Sequence, residues 1–245
     1  MNSYAVIPAR YASIRFPGKP LAMLAGKPII QHVWERVSNS KLFDEIFIAT
    51  DDLKISAAAQ NFGAIVMLTD SDLPSGTDRV AAVAEFLEPG SVILNVQGDE
   101  PLISTSALAA LLDAFSDNDV LMASLMTDFS DPEEVSNPNM VKVVVDSRGN
   151  ALYFSRSPIP YNRDGVPGYK YKRHIGVYGF RYEALMSFVS LPVGKLEGIE
   201  KLEQLRALEY GIPIRMVHSD YQGIGIDTPE DLLRIAKELK ERNLS

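Results

Sequence analysis

Short apolar segments alternate with helical segments over the first half of the chain, and this alternation limits the possible folds more than any other feature. Strands are predicted over 4–8, 45–50, 65–68 and 91–95, and helices from residue 28 and over 54–61, 76–86 and 105–115. Strands that alternate with helices in this way form parallel sheets with helices on both faces. The sequence therefore predicts an α/β fold with a mostly parallel sheet.

The alternation stops after a strand predicted at 121–126. The segments VKVVV (141–145) and ALYFS (151–155) flank the turn DSRGN and predict a β-hairpin, which makes an antiparallel insertion. The proline-rich segment 157–174 predicts a surface loop that a binding site could use. The rest of the chain predicts, in order, a strand at 175–180, helices at 182–188 and 200–210, a strand at 214–217 and a helix from 229 to about 242.

Composition excludes several kinds of site. A net charge of −8 over 245 residues argues against a chain-wide surface for nucleic acid or anionic membranes, and no run approaches the roughly 18 apolar residues of a membrane span. The absence of cysteine excludes thiolate chemistry, and three scattered histidines make a zinc cluster improbable. Any metal is expected to be a hard cation on carboxylates. The first residues lack the pattern of a signal peptide, so we expect a cytoplasmic protein.

A basic loop follows the first predicted strand. Residues 9–20, ARYASIRFPGKP, contain Arg10, Arg15, Gly18 and Lys19, and no acidic residue precedes them. Phosphates bind where backbone N–H groups, glycines and cations converge between a strand and a helix N-terminus. The spacing matches neither G-x-x-x-x-G-K-[ST] nor G-x-G-x-x-G. The loop therefore predicts a phosphate site outside the commonest ATPase and dinucleotide classes, and the alternative is a solvated cationic loop.

Two carboxylates stand at the ends of apolar segments. Asp99 lies four residues beyond SVILN, where ligands of open parallel sheets bind, and Gly98 before it predicts a backbone turn. Asp227 lies in GIGIDTPED, where either Asp227 or Thr228 could instead cap the helix that starts at Pro229. For Asp99 the alternative is an Asx-type turn. If both carboxylates hold one divalent ion, they suit phosphoryl or nucleotidyl transfer together with the basic loop.

Another acidic pair, Asp51 and Asp52, also follows a predicted strand. Helix capping explains this pair without a ligand.

Seven ordered segments resemble one known family. They are IPARYASIRFPGKPL, SGTDR (75–79), NVQGDEP (95–101), ALYFSR-PIP (151–160), RHIGVYGF (173–180), LEQLR-LEYG (202–211) and GIDTPEDL (225–232). Together they are similar to the CMP-Kdo synthetases, the 3-deoxy-manno-octulosonate cytidylyltransferases, over essentially the whole chain. The resemblance implies a Rossmann-like fold of the nucleotide-diphospho-sugar transferase type, as one domain spanning 1–245 with a sugar-binding and dimerisation subdomain around 135–212. It also implies CTP and an acidic octulosonate sugar as substrates, Mg²⁺ as cofactor and a homodimer.

The resemblance assigns roles to individual residues. It implies catalysis by Lys19, Arg10, Asp99 and Asp227, of which the two aspartates would hold Mg²⁺. It implies nucleotide contacts from Ala9, Arg10, Arg15, Lys19, Ser75, Gly76, Arg79 and Asp99. It implies sugar contacts from Gln97, Arg156, His174, Tyr178, Glu203 and Gln204, with Arg156 suited to the sugar carboxylate.

Different interpretations of the sugar-side residues stay open at this point. His174 could be bonded to backbone, Tyr178 could be ordinary strand packing, and periodicity alone places Glu203 and Gln204 on a solvated helix face. The chain differs from the family at Ile14, at Phe16 and around 162–173, so an 8-amino octulosonate is a possible substrate.

Three competing hypotheses for the function are a sialate synthetase, a glycosyltransferase and a silent nucleotide-binding protein. The sequence QGDE lacks the D-x-D motif of glycosyltransferases. Lys19, Asp99 and Asp227, whose loss would be expected in a silent protein, are all present.

Overall fold

The structure, a computed structural model, describes residues 1–12, 16–223 and 225–241. The chain divides into two compact units. The first unit comprises Met1–Leu108 and Gly223–Ser245, and the second comprises Ala109–Gln222. The subdomain expected around 135–212 falls within the range of the second unit.

Strands and helices follow one another along the chain. The strands are β1 (Ser3–Ala9), β2 (Met23–Leu24), β3 (Lys27–Pro28), β4 (Glu45–Thr50), β5 (Ile65–Leu68), β6 (Val92–Asn95), β7 (Met122–Asp128), β8 (Lys142–Val145), β9 (Ala151–Ser155), β10 (Lys172–Arg181) and β11 (Ile214–His218). The α-helices are α1 (Ile29–Ser40), α2 (Leu53–Asn61), α3 (Gly76–Ala84), α4 (Thr105–Asp113), α5 (Tyr182–Ser190), α6 (Lys195–Glu200), α7 (Gln204–Glu209) and α8 (Pro229–Glu241). Short 3₁₀ helices are formed by Lys19–Leu21, Ala114–Ser116 and Pro132–Ser136.

The first unit is built on four parallel strands in the order β6-β1-β4-β5. The chain moves outward from β1 through α1 to β4 and through α2 to β5, and then returns through α3 to β6 on the other side of β1. Because such crossovers are right-handed, α1 and α2 lie on one face of this sheet and α3 on the other. The reversal of strand order makes a topological switch point between β1 and β6, where ligands of open α/β sheets bind.

Apolar periodicity explains how the first unit is packed. Ile29, Ile30, Val33 and Val37 recur at helical spacing in α1, and each is fully buried. Every residue of β6 is buried as well, as expected for a central parallel strand covered on both faces.

The second unit is mixed in strand direction. β7 pairs in parallel with β11 and antiparallel with β10, and β8 pairs with both β9 and the start of β10. The expected hairpin is present, with β8 and β9 on either side of the turn at 146–150. The α/β fold predicted from the sequence, with a mostly parallel sheet and a small antiparallel part, is confirmed.

Two local predictions in the second unit are wrong. The loop predicted to reach residue 174 ends earlier, because β10 already begins at Lys172 and includes His174. The single helix predicted over 200–210 is broken: Lys201 has a left-handed backbone with φ of 54°, and α7 begins only at Gln204. Leucines continue at helical spacing across the break, so periodicity could not reveal it. Gln204 is buried, which excludes the alternative of a solvated helix face for this residue.

A search of the described residues finds no helix that is both long and apolar enough to cross a bilayer.

Candidate active site

A cation and two carboxylates meet in the first unit. The Nζ atom of Lys19 lies 2.5 Å from Oδ2 of Asp99 and 3.3 Å from Oδ1 of Asp227. The Lys19 side chain is 14% exposed, against 28% for Asp99 and 46% for Asp227, so the cluster opens to solvent on its acidic side. Lys19 follows β1 and Asp99 follows β6, the two strands that flank the switch point. The cluster therefore lies where the topology predicts a ligand site.

The backbone around Gly18 positions Lys19. Gly18 has a φ of 71°, a conformation that glycine adopts without strain, and its N–H donates to the Tyr11 carbonyl over 2.9 Å. The 3₁₀ helix Lys19–Leu21 starts directly after it. The predicted phosphate ligand Arg15, like Ile14, lies outside the described residues.

Asp99 is held by a close backbone contact at Gly98. A Cβ atom on Gly98 would lie 2.8 Å from the carbonyl oxygen of Pro8 at the end of β1. Glycine is therefore needed for the close approach of two backbones. The turn predicted from the sequence is present as well, because the N–H of Glu100 donates to the Gln97 carbonyl over 3.2 Å. The Asp99 carbonyl accepts a 2.9 Å hydrogen bond from the N–H of Ile226, which brings the chain before Asp227 next to Asp99.

Thr228, and not Asp227, caps α8. The Oγ1 atom of Thr228 accepts from the N–H of Asp231, and Oδ2 of Asp231 accepts from the N–H of Thr228 and, at 3.1 Å, from that of Asp227. This reciprocal pair is a capping box. The Asp227 carboxylate is directed instead to Lys19.

The acidic pair suits a hard divalent cation. Mg²⁺ is usually bound by one or two carboxylates, with water and substrate phosphates completing its shell. Lys19 Nζ lies within 3.3 Å of both carboxylates, so a single cation can interact with Asp99 and Asp227 at once. No group of three or more His, Cys, Asp or Glu suited to a metal occurs in the described parts of the chain.

Arg10 organises the entrance to α3. Its guanidinium donates to the carbonyl oxygens of Leu73, Pro74 and Ser75, the last over 2.7 Å. Ser75 is the N-cap of α3, and its Oγ accepts from the N–H groups of Thr77 and Asp78 at 3.1 Å each.

The other nucleotide-side residues differ in exposure. Gly76 begins α3 close to Pro8, Ala9 is buried at the end of β1, and Arg79 has no exposed surface. Oδ2 of Asp51 lies 3.4 Å from Nη2 of Arg79, and Thr69 accepts a hydrogen bond from Nη1. Burial lowers the pKa of Arg79, an effect that Asp51 opposes. Arg79 therefore supports the loops around it. Of the predicted capping pair, Asp52 caps α2, whereas Asp51 forms an ion pair with Arg79.

The predicted sugar-side residues fall in both units. Gln97 belongs to the first, where its Nε2 donates to Oδ1 of Asn95 over 3.0 Å. The other five belong to the second.

A buried cluster in the second unit joins His174, Tyr178 and Gln204. Nε2 of His174 lies 2.9 Å from Oγ of Ser124, and its Nδ1 lies 3.4 Å from Nε2 of Gln204. The ring packs edge-on against Phe154 at 4.8 Å and beside Tyr178 at 5.5 Å.

Burial makes the cluster neutral at ordinary pH. Desolvation, with a smaller effect from the charge of Arg173, lowers the pKa of His174 from 6.5 to about 3. Desolvation, with a smaller effect from Glu203, raises the pKa of the Tyr178 hydroxyl. Both rings therefore act as neutral hydrogen-bonding groups.

Arg156 is engaged by backbone. Its Nε donates to the Glu200 carbonyl over 2.7 Å, Nη1 to that of Pro138 over 2.9 Å, and Nη2 to that of Lys201 over 3.2 Å. The Glu200 carboxylate in turn accepts from the backbone N–H of Arg156 and from the hydroxyl of Ser155. Arg156 therefore holds the break between α6 and α7 against the end of β9. Among the described residues, no hydrogen bond joins Arg156 to the His174 cluster.

Sequence reasoning missed two residues of these clusters. Ser124 lies within the apolar segment LMASLM, where nothing marks it as polar support. Lys142 is fully buried, which lowers its pKa, and its Nζ donates to the carbonyls of Asn137 and Arg156. The one signal for Lys142 in the sequence was a lysine inside the hydrophobic run VKVVV.

The chain is similar to known proteins over most of its length. A family model described as cytidylyltransferase matches residues 4–216. A 3-deoxy-manno-octulosonate cytidylyltransferase of Solibacter usitatus is 50% identical over 96% of this chain and 93% of its own length. The enzyme of the same name from Thermodesulfovibrio yellowstonii is 48% identical over 95% of this chain and 96% of its own length.

Solved structures give the same relationship. A CMP:2-keto-3-deoxy-manno-octonic acid synthetase complexed with CTP superposes with a TM-score of 0.94 at 40% identity, covering 99% of this chain and all of that one. A 4-diphosphocytidyl-2C-methyl-D-erythritol synthase from Anaerococcus prevotii, 17% identical over 98% of both chains, superposes with a TM-score of 0.66 and so shares the fold. The chain belongs to the cytidylyltransferase family and, within it, to the 3-deoxy-manno-octulosonate cytidylyltransferases.

Proposed function

We propose that this chain transfers CMP from CTP to the anomeric hydroxyl of 3-deoxy-D-manno-octulosonate (Kdo). The hydroxyl oxygen forms a bond to the α-phosphorus, the bond from that phosphorus to the oxygen bridging to the β-phosphate breaks, and pyrophosphate leaves. The hydroxyl proton is released to solvent. The product, CMP-Kdo, is an activated sugar for lipopolysaccharide synthesis.

The observation that carries this proposal is the position of Lys19 between Asp99 and Asp227 at the switch point of the sheet. Nucleotidyl transfer is catalysed mainly by positioning and by compensation of phosphate charge. Lys19 has a flexible side chain, so its ammonium can exchange a carboxylate for an oxygen of the α-phosphate as negative charge grows there. We therefore propose that Lys19 stabilises the charge that develops on the α-phosphate in the transition state. Arg10 instead shapes the nucleotide site by holding the loop at 73–75.

Asp99 and Asp227 would hold Mg²⁺, which when bound supplies positive charge to phosphate oxygens. The start of α3 lies beside the end of β1, since a Cβ atom added to Gly76 would lie 3.5 Å from the Pro8 side chain. Ser75 and Gly76 are thus suited to the phosphate side of the nucleotide.

The sugar-side assignment is supported by the neutral character of the His174 cluster. Kdo carries one carboxylate and several hydroxyls, and buried neutral donors and acceptors suit the hydroxyls. Arg156 already donates to three carbonyls, yet a guanidinium has five N–H groups, so it can still meet a carboxylate oxygen.

We also infer a cytoplasmic homodimer. Large apolar side chains of the second unit lie exposed, among them Leu152 (61%), Val193 (67%) and Ile199 (78%). Large exposed apolar surface is typical of protein interfaces, and we expect these side chains to contribute to one. Light scattering should give the mass of two chains, and Ile199→Asp should lower it.

A pyrophosphate-release assay tests the reaction. CTP is offered with Kdo, 8-amino-Kdo, sialic acid or a hexose 1-phosphate, with Mg²⁺ present or removed by chelator. We expect turnover with Kdo and none without the metal. Preference for 8-amino-Kdo would change the substrate, preference for the hexose phosphate would refute the sugar site, and full turnover in chelator would refute the metal site.

A further inference from the structure

Three polar side chains form a continuous buried chain in the second unit. Ser124 belongs to β7, His174 to β10 and Gln204 to the first turn of α7, and all three are at most 8% exposed. The links are the 2.9 Å contact from Ser124 Oγ to His174 Nε2 and the 3.4 Å contact from His174 Nδ1 to Gln204 Nε2. Buried polar groups of this kind have to be satisfied, so the direction of each bond matters.

The chemistry of the groups fixes those directions. An amide nitrogen can only donate, so Nδ1 of His174 accepts from Gln204 and carries no proton. The imidazole is neutral, so its single proton lies on Nε2 and is donated to Ser124 Oγ. The serine hydroxyl must then donate elsewhere, and the carbonyls of Val177 at 2.9 Å and Ile175 at 3.2 Å are its acceptors.

A β-bulge makes these acceptors available. The pairing of β10 with β7 shifts between Ile175 and Tyr178, so Gly176 and Val177 lie outside the regular ladder. A bulge leaves backbone groups unpaired, and such features are common beside functional sites. Ser124 is the partner of Tyr178 in the register and has no exposed surface, which places its hydroxyl directly beneath the bulge.

We propose that Ser124 is a positioning residue for the sugar site: it holds His174 in the Nε2–H tautomer and so orients the Gln204 amide with its oxygen turned away from the ring. This inference rests on the proposed function. Within the described residues the Gln204 side-chain oxygen accepts no hydrogen bond, so it remains an acceptor for a ligand. A sugar hydroxyl is the donor that fits it.

The proposal predicts how loss of the hydroxyl acts. Without Ser124 Oγ, either ring nitrogen of His174 can carry the proton, and the Nδ1–H form would favour the flipped Gln204 amide. The flipped amide presents an NH₂ group where a sugar hydroxyl expects an acceptor. Mispairing one buried hydrogen bond costs about 1–3 kcal/mol, so we expect the KM for the sugar to rise roughly 5- to 150-fold. The KM for CTP should stay within about twofold, because no link of this chain involves the first unit.

Histidine-selective ¹⁵N NMR tests the tautomer without any assay of activity. The chain has three histidines, His32, His174 and His218, and the signal that is lost in His174→Gln identifies the buried one. We expect wild-type His174 to be neutral and protonated on Nε2 between pH 5 and 8. In Ser124→Ala we expect a mixture of tautomers, and in Ser124→Thr, which keeps the hydroxyl, a return to the Nε2–H form.

The outcomes separate this proposal from the proposed reaction. A wild-type signal from the Nδ1–H tautomer or from a charged ring would overturn the role of Ser124 even if Ser124→Ala failed to fold. An unchanged tautomer in folded Ser124→Ala would do the same, as would equal rises of the KM for sugar and for CTP. Absence of turnover by wild type with Kdo would instead count against the proposed reaction and leave the tautomer result standing.

Discussion

Replacing Lys19 by methionine should make the nucleotide-free protein bind a divalent cation more tightly. The ammonium of Lys19 lies 2.5 Å from one carboxylate and 3.3 Å from the other, so it already occupies the position of a cation. A divalent ion that enters without nucleotide has to displace it. Methionine keeps the length and the apolar stem of lysine and removes the charge.

The contacts give the size of the effect. Two unit charges about 4 Å apart attract by about 1 kcal/mol in water and about 4 kcal/mol near a protein surface. The side chains are partly exposed, which reduces the attraction, and Lys19 regains hydration when it is displaced. A net penalty of about 1.4–2.8 kcal/mol is reasonable, so the Kd of the variant for a divalent ion should fall about 10- to 100-fold.

The assay is titration with Mn²⁺ followed by electron paramagnetic resonance of the free ion. Lys27→Met is the matched control, because it removes the same charge from an exposed pair with Glu35. With CTP present, phosphates engage Lys19 in wild type, so the advantage of the variant should shrink. An equal or weaker Mn²⁺ affinity in Lys19→Met would refute the idea that Lys19 competes with the metal.

Three further changes have defined outcomes. Gly98→Ala places a Cβ atom 2.8 Å from the Pro8 carbonyl, so urea unfolding should show a loss of about 1–3 kcal/mol, together with a lower kcat because Asp99 shifts. Asp231→Ala removes the capping box, and we expect a loss of about 1 kcal/mol in stability and a higher Mg²⁺ concentration for half-maximal rate, because Asp227 loses its backbone anchor. His174→Gln should flatten the pH dependence of stability. The pKa of this histidine is about 3 in the folded chain and 6.5 in the unfolded chain, so its contribution to stability is present above pH 6.5 and is lost as the pH falls. Wild type should lose about 2 kcal/mol by pH 5, because the unfolded chain takes up a proton that the folded chain does not.

Controls separate these effects from general damage. In Gly198→Ala the added Cβ meets no atom within 4 Å, so we expect kcat to stay nearly unchanged and stability not to fall, since alanine favours a helix interior over glycine. A stable and fully active Gly98→Ala would refute the close-approach argument. The slope of stability against pH below pH 6.5 is compared directly between wild type and His174→Gln. The same slope in His174→Gln would show that another group takes up the proton.

Local sequence patterns predicted the elements of the first unit well, because short apolar runs bounded by turn residues mark strands. Glu45–Thr50 and Ile65–Leu68 have the bounds expected from apolar runs between turn residues. The positions of Lys19 and Asp99 at strand ends also followed from the alternation of strands and helices, since the carboxyl ends of parallel strands share one edge.

Features that depend on contacts distant in sequence could not be predicted. The left-handed backbone of Lys201 interrupts a helix although leucines continue at helical spacing across it. Thr228 is the N-cap of α8, but the sequence around Asp227 fits an N-cap equally well. The role of the Ser124 hydroxyl depends on a bulge in a different strand, β10, which the sequence around Ser124 does not indicate. A period-two pattern does not show where a bulge inserts an extra residue into one of two paired strands.

The order in which the chain is synthesised determines when the two carboxylates of the site, Asp99 and Asp227, can come together. The first unit draws on both ends of the sequence, so its acidic pair joins residues separated by more than a hundred positions. A ribosome makes Asp99 and the whole second unit before it makes Asp227. A growing chain that has not yet reached Asp227 therefore lacks the second carboxylate of the site, even if the four parallel strands of the first unit, which all precede Asp99, have already paired.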